Sequence, residues 1–186
     1  IPLILQKIQW KKSMRWGEFD LNWGRPLKSI LALFDKKKLT FDFHHLSSSN
    51  STFIDKEFEE QKKIFNDFKE YSNFFKKMNI IIDQKQRKDL IEKKLNEISN
   101  KKNIKIENNS KLLDEVVDLT DQPNVIICEF DRKFLNIPKE ILIITMQFHQ
   151  KYFPTFDKKG NITNEFLVVT NKQDKKGFIK LGNERV

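Results

Sequence analysis

The sequence predicts an α+β chain in which helices are mixed with a mainly antiparallel sheet. Three observations lead there. Several short runs alternate apolar and polar residues with a period of two, as half-buried strands do. Other runs place apolar residues three and four apart, as amphipathic helices do. Strands and helices interleave without a regular βαβ repeat, and the run DKKGN at 157–161 separates two apolar segments as a hairpin turn would.

Taken in order, Ile1 to Ile8 reads as the end of a helix, and WKKSMRWG follows, broken at Gly17. Phe19, Leu21 and Trp23 alternate with Glu18, Asp20 and Asn22 as a strand. Arg25 and Pro26 open an expected helix with Leu27, Ile30, Leu31 and Phe34 on its face, and Asp35 to Lys38 is a charged turn. Leu39, Phe41 and Phe43 alternate as a second strand. His44 to Thr52 is rich in serine, whose hydroxyls compete for backbone hydrogen bonds, and is the candidate linker.

Beyond it, Ile64, Phe68, Tyr71, Phe75 and Met78 recur at helical spacing, so a helix is expected from about Asp55 to Lys77. Ile80 to Ile82 is extended. Asp83 is placed to cap a helix whose face is Leu90, Ile91, Leu95 and Ile98. Lys101 to Ser110 is polar and expected to loop, and Leu112 to Leu119 is a short acidic helix. Val125 to Phe130, apolar except for Glu129, reads as a central strand.

The run PKEILIITMQFHQKYFP at 138–154 opens with a helix start, with Asn136 just ahead of it able to cap and Pro138 where a missing N–H costs nothing. Ile141, Leu142, Ile144, Met146 and Phe148 fill one arc of its wheel, and a core role is expected for Ile141, Ile144 and Phe148. Ile143 lies off that arc, which suits a contact with another domain or subunit. Pro154 disfavours helix at Phe153, so the helix ends by about Lys151 and the chain enters the hairpin Tyr152–Phe156 and Glu165–Thr170. The expected organisation is a strand-helix-strand unit over 1–43, a sub-boundary at 44–54, a helical part over 55–110 and an α+β part over 111–186.

Composition bounds the function. The 186 residues are 38% hydrophobic and 12% aromatic, enough apolar material for one domain or two small ones. The net charge is +9, with a pI near 9.5, which fits a polyanionic partner. Lysine-rich codon bias accounts for the same charge, since Ala32 is the only alanine and Arg15, Arg25, Arg87, Arg132 and Arg185 are the only arginines. A single cysteine, Cys128, excludes a disulfide framework within the chain and a thiolate metal cluster, and suits a reducing, cytosolic setting. No apolar run has the length of a membrane helix and no signal peptide opens the sequence. Beginning at Ile1 and stopping within a polar motif at Val186, the sequence reads as a segment of a longer chain.

The chemistry-bearing residues point to binding rather than catalysis. Five scattered glycines make neither GxGxxG nor GxxxxGK, so no phosphate-cradling loop is expected. Asp42, His44 and His45 lack a third ligand at metal spacing, and adjacent strand histidines face opposite ways. His149 falls in the helix arc as a core histidine, and Asp114, Glu115, Asp118 and Asp121 read as a solvated helix face. No catalytic, cofactor-binding or metal-binding residue is assigned. The candidates for RNA contact are Lys11, Lys12, Arg15 and Trp16, and Lys151 beside Tyr152 and Phe153, because cations neutralise phosphates while aromatic faces stack on exposed bases.

Several stretches together resemble the beta subunit of bacterial heterotetrameric glycyl-tRNA synthetase. They are SMRWG at 13–17, RPL and ILALF within 25–34, LLDEVVDLTDQP at 112–123, FLNIPKEILIITM at 134–146, HQKYFP at 149–154, EFLVVTN at 165–171 and GNERV at 182–186. The resemblance implies an enzyme of two alpha and two beta subunits, with the ATP, magnesium and glycine chemistry in the alpha subunit. The beta subunit would hold tRNA(Gly) and assemble the complex, and no cofactor is implied for this segment. It also implies an α+β module related to the editing region of the phenylalanyl-tRNA synthetase beta subunit, although a shared fold does not establish editing.

Two places depart from the family pattern. HHLSSSNSTF stands at 44–53 where the family has Thr-Arg-Gly-His-Arg-Phe, and Gln122-Pro123 replaces Trp-Pro. The rival reading from a different class is a free-standing RNA-binding or scaffold module without a synthetase partner. A hydrolytic editing enzyme is the third, and it needs a pocket lined by acids or histidines.

Overall fold

The computed structural model describes residues 1–55, 60–107 and 109–186. It is α+β, and its sheets are mostly antiparallel, as the sequence pattern predicts. The chain divides into two compact units, Ile1–Phe74 and Phe75–Val186, so the serine-rich segment at 44–54 lies inside the first.

The first unit is built from short strands. Helix α1 (Pro2–Gln6) precedes β1 (Met14–Arg15), which pairs antiparallel with β2 (Asn22–Trp23). The helix expected to follow Pro26 is absent. In its place stand β3 (Ile30–Leu31) and a hairpin of β4 (Leu33–Phe34) and β5 (Lys37–Lys38). Asp35 and Lys36 both have positive φ, 46° and 63°, the geometry of a two-residue hairpin turn that reverses the chain where the helix would have continued.

A second tight turn corrects the reading of the histidines. Strand β6 (Asp42–Phe43) pairs with β7 (Leu46–Ser49), and His44 and His45 form the two-residue turn between them, with His44 at φ 51°. The serine-rich run is therefore strand and not linker. Ser48, 4% exposed, donates its hydroxyl to the Leu39 carbonyl at 2.7 Å and accepts the Phe41 amide at 2.8 Å. The hydroxyls satisfy main-chain groups at an irregular stretch of sheet instead of dissolving it. Strand β7 also pairs parallel with β3, giving a three-stranded sheet.

The helix expected over 55–77 forms only in its second half. Strands β8 (Ser51–Asp55) and β9 (Glu60–Ile64) pair antiparallel, and α2 (Phe68–Lys77) follows; residues 56–59 lie outside the described ones. Asp67 Oδ1 accepts the Glu70 amide at 2.8 Å and so caps α2. Leu21, Phe43, Ile54 and Phe65 make the buried apolar core of the unit, and Phe65 meets the rings of Tyr71 and Phe74 edge-on.

The second unit follows the sequence more closely. Helix α3 (Gln84–Lys102) starts at Asp83, whose carboxylate accepts the Gln86 amide at 2.7 Å, and stops at Asn103 in the left-handed region. Where only a loop was expected, β10 (Lys105–Ile106) forms. Helix α4 (Ser110–Leu119) is capped by Asn109, and β11 (Asn124–Glu129), β12 (Phe153–Phe156) and β13 (Ile162–Thr170) complete the sheet. The hairpin β12–β13 is present with Gly160 at φ 87°.

The strand order is β10-β12-β13-β11, so β11 is an edge strand and not a central one. Its continuous apolar run has another cause: both faces of the sheet are covered. Ile91, Leu95, Leu112, Leu113, Val116 and Val117 of α3 and α4 meet Phe153 and Leu167 on one face, with Val125 and Ile127 alongside. Cys128, Tyr152, Phe166 and Val168 face the other way with Met146 and Leu142, and Ile126 joins them. Pro154 sits within an inner strand, and the pairing register shifts between Pro154 and Phe156, a bulge that accommodates its missing N–H.

The segment 132–150 also departs from the wheel. A 3₁₀ turn (Arg132–Asn136) leads into α5 (Lys139–Ile144), with Pro138 at its N-cap, and a π-helical turn (Thr145–Gln150) completes it. Only one side of the broad apolar arc faces the core, so Leu142 and Met146, four residues apart, turn inward while Ile141, Ile144 and Phe148 stay on the outer side. Met146 is buried and Leu142 packs with it, whereas Ile141, Ile144 and Phe148 are 55%, 57% and 70% exposed. These three are not core residues, His149 is exposed too, and Ile143 is half-buried. A final helix, α6 (Phe178–Glu184), is tied to the sheet by Tyr152 Oη donating to Asn183 at 2.8 Å and by the Glu129 amide donating to Glu184 at 3.0 Å.

Candidate nucleic-acid interface

Three of the first-unit candidates belong to one exposed stretch of chain. Lys11 and Lys12 are exposed between α1 and β1, and Arg15 is exposed on β1 itself. The Arg15 guanidinium lies 3.6 Å from Asp20, an exposed pair that holds it only weakly. Trp16 has a different position. It is half-buried, and its indole N–H donates to the Trp23 carbonyl at 3.0 Å, so its polar edge is already used within the fold.

Around Trp16 the chain forms an open cleft of about 460 Å³. Phe19, Leu21 and Trp23, the three residues the alternation placed together, all line it, with Lys28, His45 and Phe53 on the remaining walls. Trp10 stands edge-on to Trp23 at 4.9 Å between ring centres and covers Gly24. A Cβ at Gly24 would come within 2.7 Å of the Trp10 ring, so the close approach needs glycine there. The rings of Phe19 and His45 lie parallel, 3.7 Å apart and 5° from coplanar. Composition singled out neither residue as a binder, although the period-two pattern already put Phe19 on the face of Trp23.

Lys151 is not among the residues of this cleft and belongs to the second unit. There it is the left-handed cap that ends the π-helical turn, with its ammonium 2.9 Å from Glu115 and 5.3 Å from the centre of the Phe148 ring. Its charge is largely answered locally, which makes it a poorer phosphate ligand than Lys11 or Lys12. Tyr152 and Phe153 turn into the sheet, as expected. Arg87 is likewise structural: it donates to the Ile81, Ile82 and Val117 carbonyls and pins the extended 80–82 segment to the end of α4.

Burial pushes the Cys128 thiol up to about 11, so it stays protonated and is not a nucleophile at neutral pH. Asp42 accepts the Ser47 hydroxyl at 2.6 Å, and among the described residues no three His, Cys, Asp or Glu side chains gather as a metal site requires. The acidic face of α4 is solvated and paired: Asp114 with Lys88 at 2.7 Å, Glu115 with Lys151, and Asp118 with the Gln84 amide. Among the described residues no helix is long and apolar enough to cross a membrane.

Four of the motifs behind the resemblance are joined in pairs within the second unit. The Asn171 side-chain oxygen accepts the amides of Asp121 and Gln122, both at 2.9 Å, joining VVTN to TDQP. Tyr152 and Asn183 join the KYF and GNERV stretches in the same way.

Comparison with known proteins agrees along the whole length. A family model described as "Glycyl-tRNA synthetase beta subunit" matches residues 1–186. Proteins named "Glycine--tRNA ligase beta subunit" from Rickettsia akari and Rickettsia typhi are each 37% identical over 98% of this chain, and one from Rickettsia felis is 36% identical over 98%. The chain spans about 28% of the length of each of these relatives.

Proposed function

The chain belongs to the glycyl-tRNA synthetase beta-subunit family, and from that premise we propose that it supports ATP-dependent glycylation of tRNA(Gly) by holding tRNA and by assembling with an alpha subunit. The observation that carries the RNA part is in the first unit, where Lys11, Lys12 and Arg15 are exposed on the stretch of chain that leads into Trp16, a wall of an aromatic cleft. Assembly is supported by the second unit, which leaves Ile141, Ile144 and Phe148 in water on one short segment, an apolar surface suited to a protein partner. In this reading ATP, magnesium and glycine are handled by the alpha subunit of a cytoplasmic complex of two alpha and two beta subunits. This chain contributes position and grip rather than bond making.

The test is co-purification of the full-length beta chain with its alpha subunit, followed by glycine transfer to tRNA and by tRNA binding. The complex is expected to charge tRNA(Gly), and the beta chain alone to show no ATP-pyrophosphate exchange. Exchange by the beta chain free of alpha would overturn the division of labour. RNA binding without any association with alpha would favour a free-standing RNA-binding module.

A further inference from the structure

Resting on the reading that the first unit holds tRNA, the structure points to a specific contact: we propose that Phe19 and His45 form a stacking platform for one unpaired RNA base. The two rings are already parallel at 3.7 Å, the geometry of a base stack, and the pair sits at an open cleft. Phe19 keeps 48% of its surface exposed and His45 is exposed as well, so the pair offers ring surface that the protein itself does not cover.

Local geometry presents the pair to solvent. Gly17 takes φ 64° and turns the chain just before Phe19, and His45 occupies the tip of the β6–β7 turn with Nε2 3.4 Å from the Leu27 carbonyl. An aromatic pair serving only as core would be expected inside, as Phe43 and Phe65 are at 2% and 1% exposure. The surrounding charge suits a nucleotide better than an apolar peptide. Residues 7–38 carry nine lysines and arginines against three acidic residues, and Arg15 immediately precedes Trp16 of the cleft wall. Lys28 on the cleft wall and Arg15 next to Trp16 hold the phosphates and the flat pair takes the base, with little dependence on which base it is.

The experiment uses the full-length beta subunit assembled with alpha and a tRNA(Gly) transcript as the probe. Affinity is measured over a series of salt concentrations for the parent, Phe19→Ala, Phe19→Ala with His45→Ala, and Phe19→Trp. Losing one stacked base is expected to weaken binding roughly ten-fold. The salt slope should stay as in the parent, because the cations that neutralise phosphates remain in place. Phe19→Trp should restore the affinity, and ultraviolet crosslinking of the parent should attach RNA to the peptide containing Phe19.

Parent affinity in both alanine variants, with the parent bound to tRNA, would overturn the platform and leave the broader reading standing. A weakening that comes with a shallower salt slope would also overturn it, since that is the signature of a displaced cation cluster. A parent complex that fails to bind tRNA would overturn the platform and the broader reading together.

Discussion

Replacing Leu167 by alanine tests the architecture of the second unit. Leu167 is 0% exposed in the middle of β13, packed under Ile91, Leu95, Leu113 and Val116 of the two helices. The substitution removes three carbons from a site closed by helices above and sheet neighbours beside it, where collapse is restricted. Forfeited transfer free energy and the residual cavity together give a cost of about 3–4 kcal/mol, within the usual range for buried leucines. In urea titration of the chain, followed by far-ultraviolet circular dichroism, the midpoint should fall with little change in slope. Phe148→Ala is the paired control. A wheel that places Phe148 in the core predicts a loss of about 3–5 kcal/mol for it, whereas its 70% exposure predicts a change within about 0.5 kcal/mol. Equal losses in the two variants, or a loss at Phe148 larger than at Leu167, would refute the assignment of the buried face.

Three further outcomes are expected. Replacing Lys11, Lys12 and Arg15 together by alanine should weaken tRNA binding across sequences and reduce the salt slope by about two to three, roughly one step for each phosphate left without its cation; an unchanged slope in the full complex would remove all three from the interface. Asn171→Ala withdraws the acceptor shared by the Asp121 and Gln122 amides and should cost about 1–2 kcal/mol of stability, read as a lowered urea midpoint, with Asn171→Asp retaining more of it. Cys128 should react with a thiol reagent only as fast as the second unit opens. Because burial raises its folded pKa from 9.0 to about 11, the stability tied to its protonated thiol is whole below pH 9 and declines as pH rises toward 11. A Cys128→Ser control that keeps the same alkaline decline would show that another group is responsible.

Local chemistry was readable wherever one residue decides one turn. Asp83 as a helix cap, the facing set of α3, the hairpin at Gly160 and the exit of Lys151 into a strand each follow from short-range geometry, and the structure shows them. The family was readable too, because its motifs run along the chain, and the structure explains several of them as joints: Asn171 with TDQP, and Asn183 with Tyr152. The cation candidates Lys11, Lys12 and Arg15 came from composition, and the structure leaves them in solvent.

Tertiary structure alone decided the rest, for reasons that periodicity does not carry. Leu27 to Phe34 has helical spacing, yet the paired turn at Asp35 and Lys36 and the partner strand β7 made strand the better-satisfied state. The serines of 47–51 weaken regular structure only when their hydroxyls lack acceptors in place; with the Leu39 carbonyl and Phe41 amide waiting, Ser48 completes a sheet. An apolar run such as Val125–Cys128 reports that both faces are covered and is silent about which edge is paired, so β11 could be placed only by the sheet. The wheel over Ile141–Phe148 gives an apolar arc wider than the surface that covers it; packing against Cys128, Tyr152 and Phe166 gave the inner side to Leu142 and Met146 and left the other side in solvent. The stacking of Phe19 on His45 joins residues 26 positions apart, and the chain between them had to fold before either could be recognised as half of a pair.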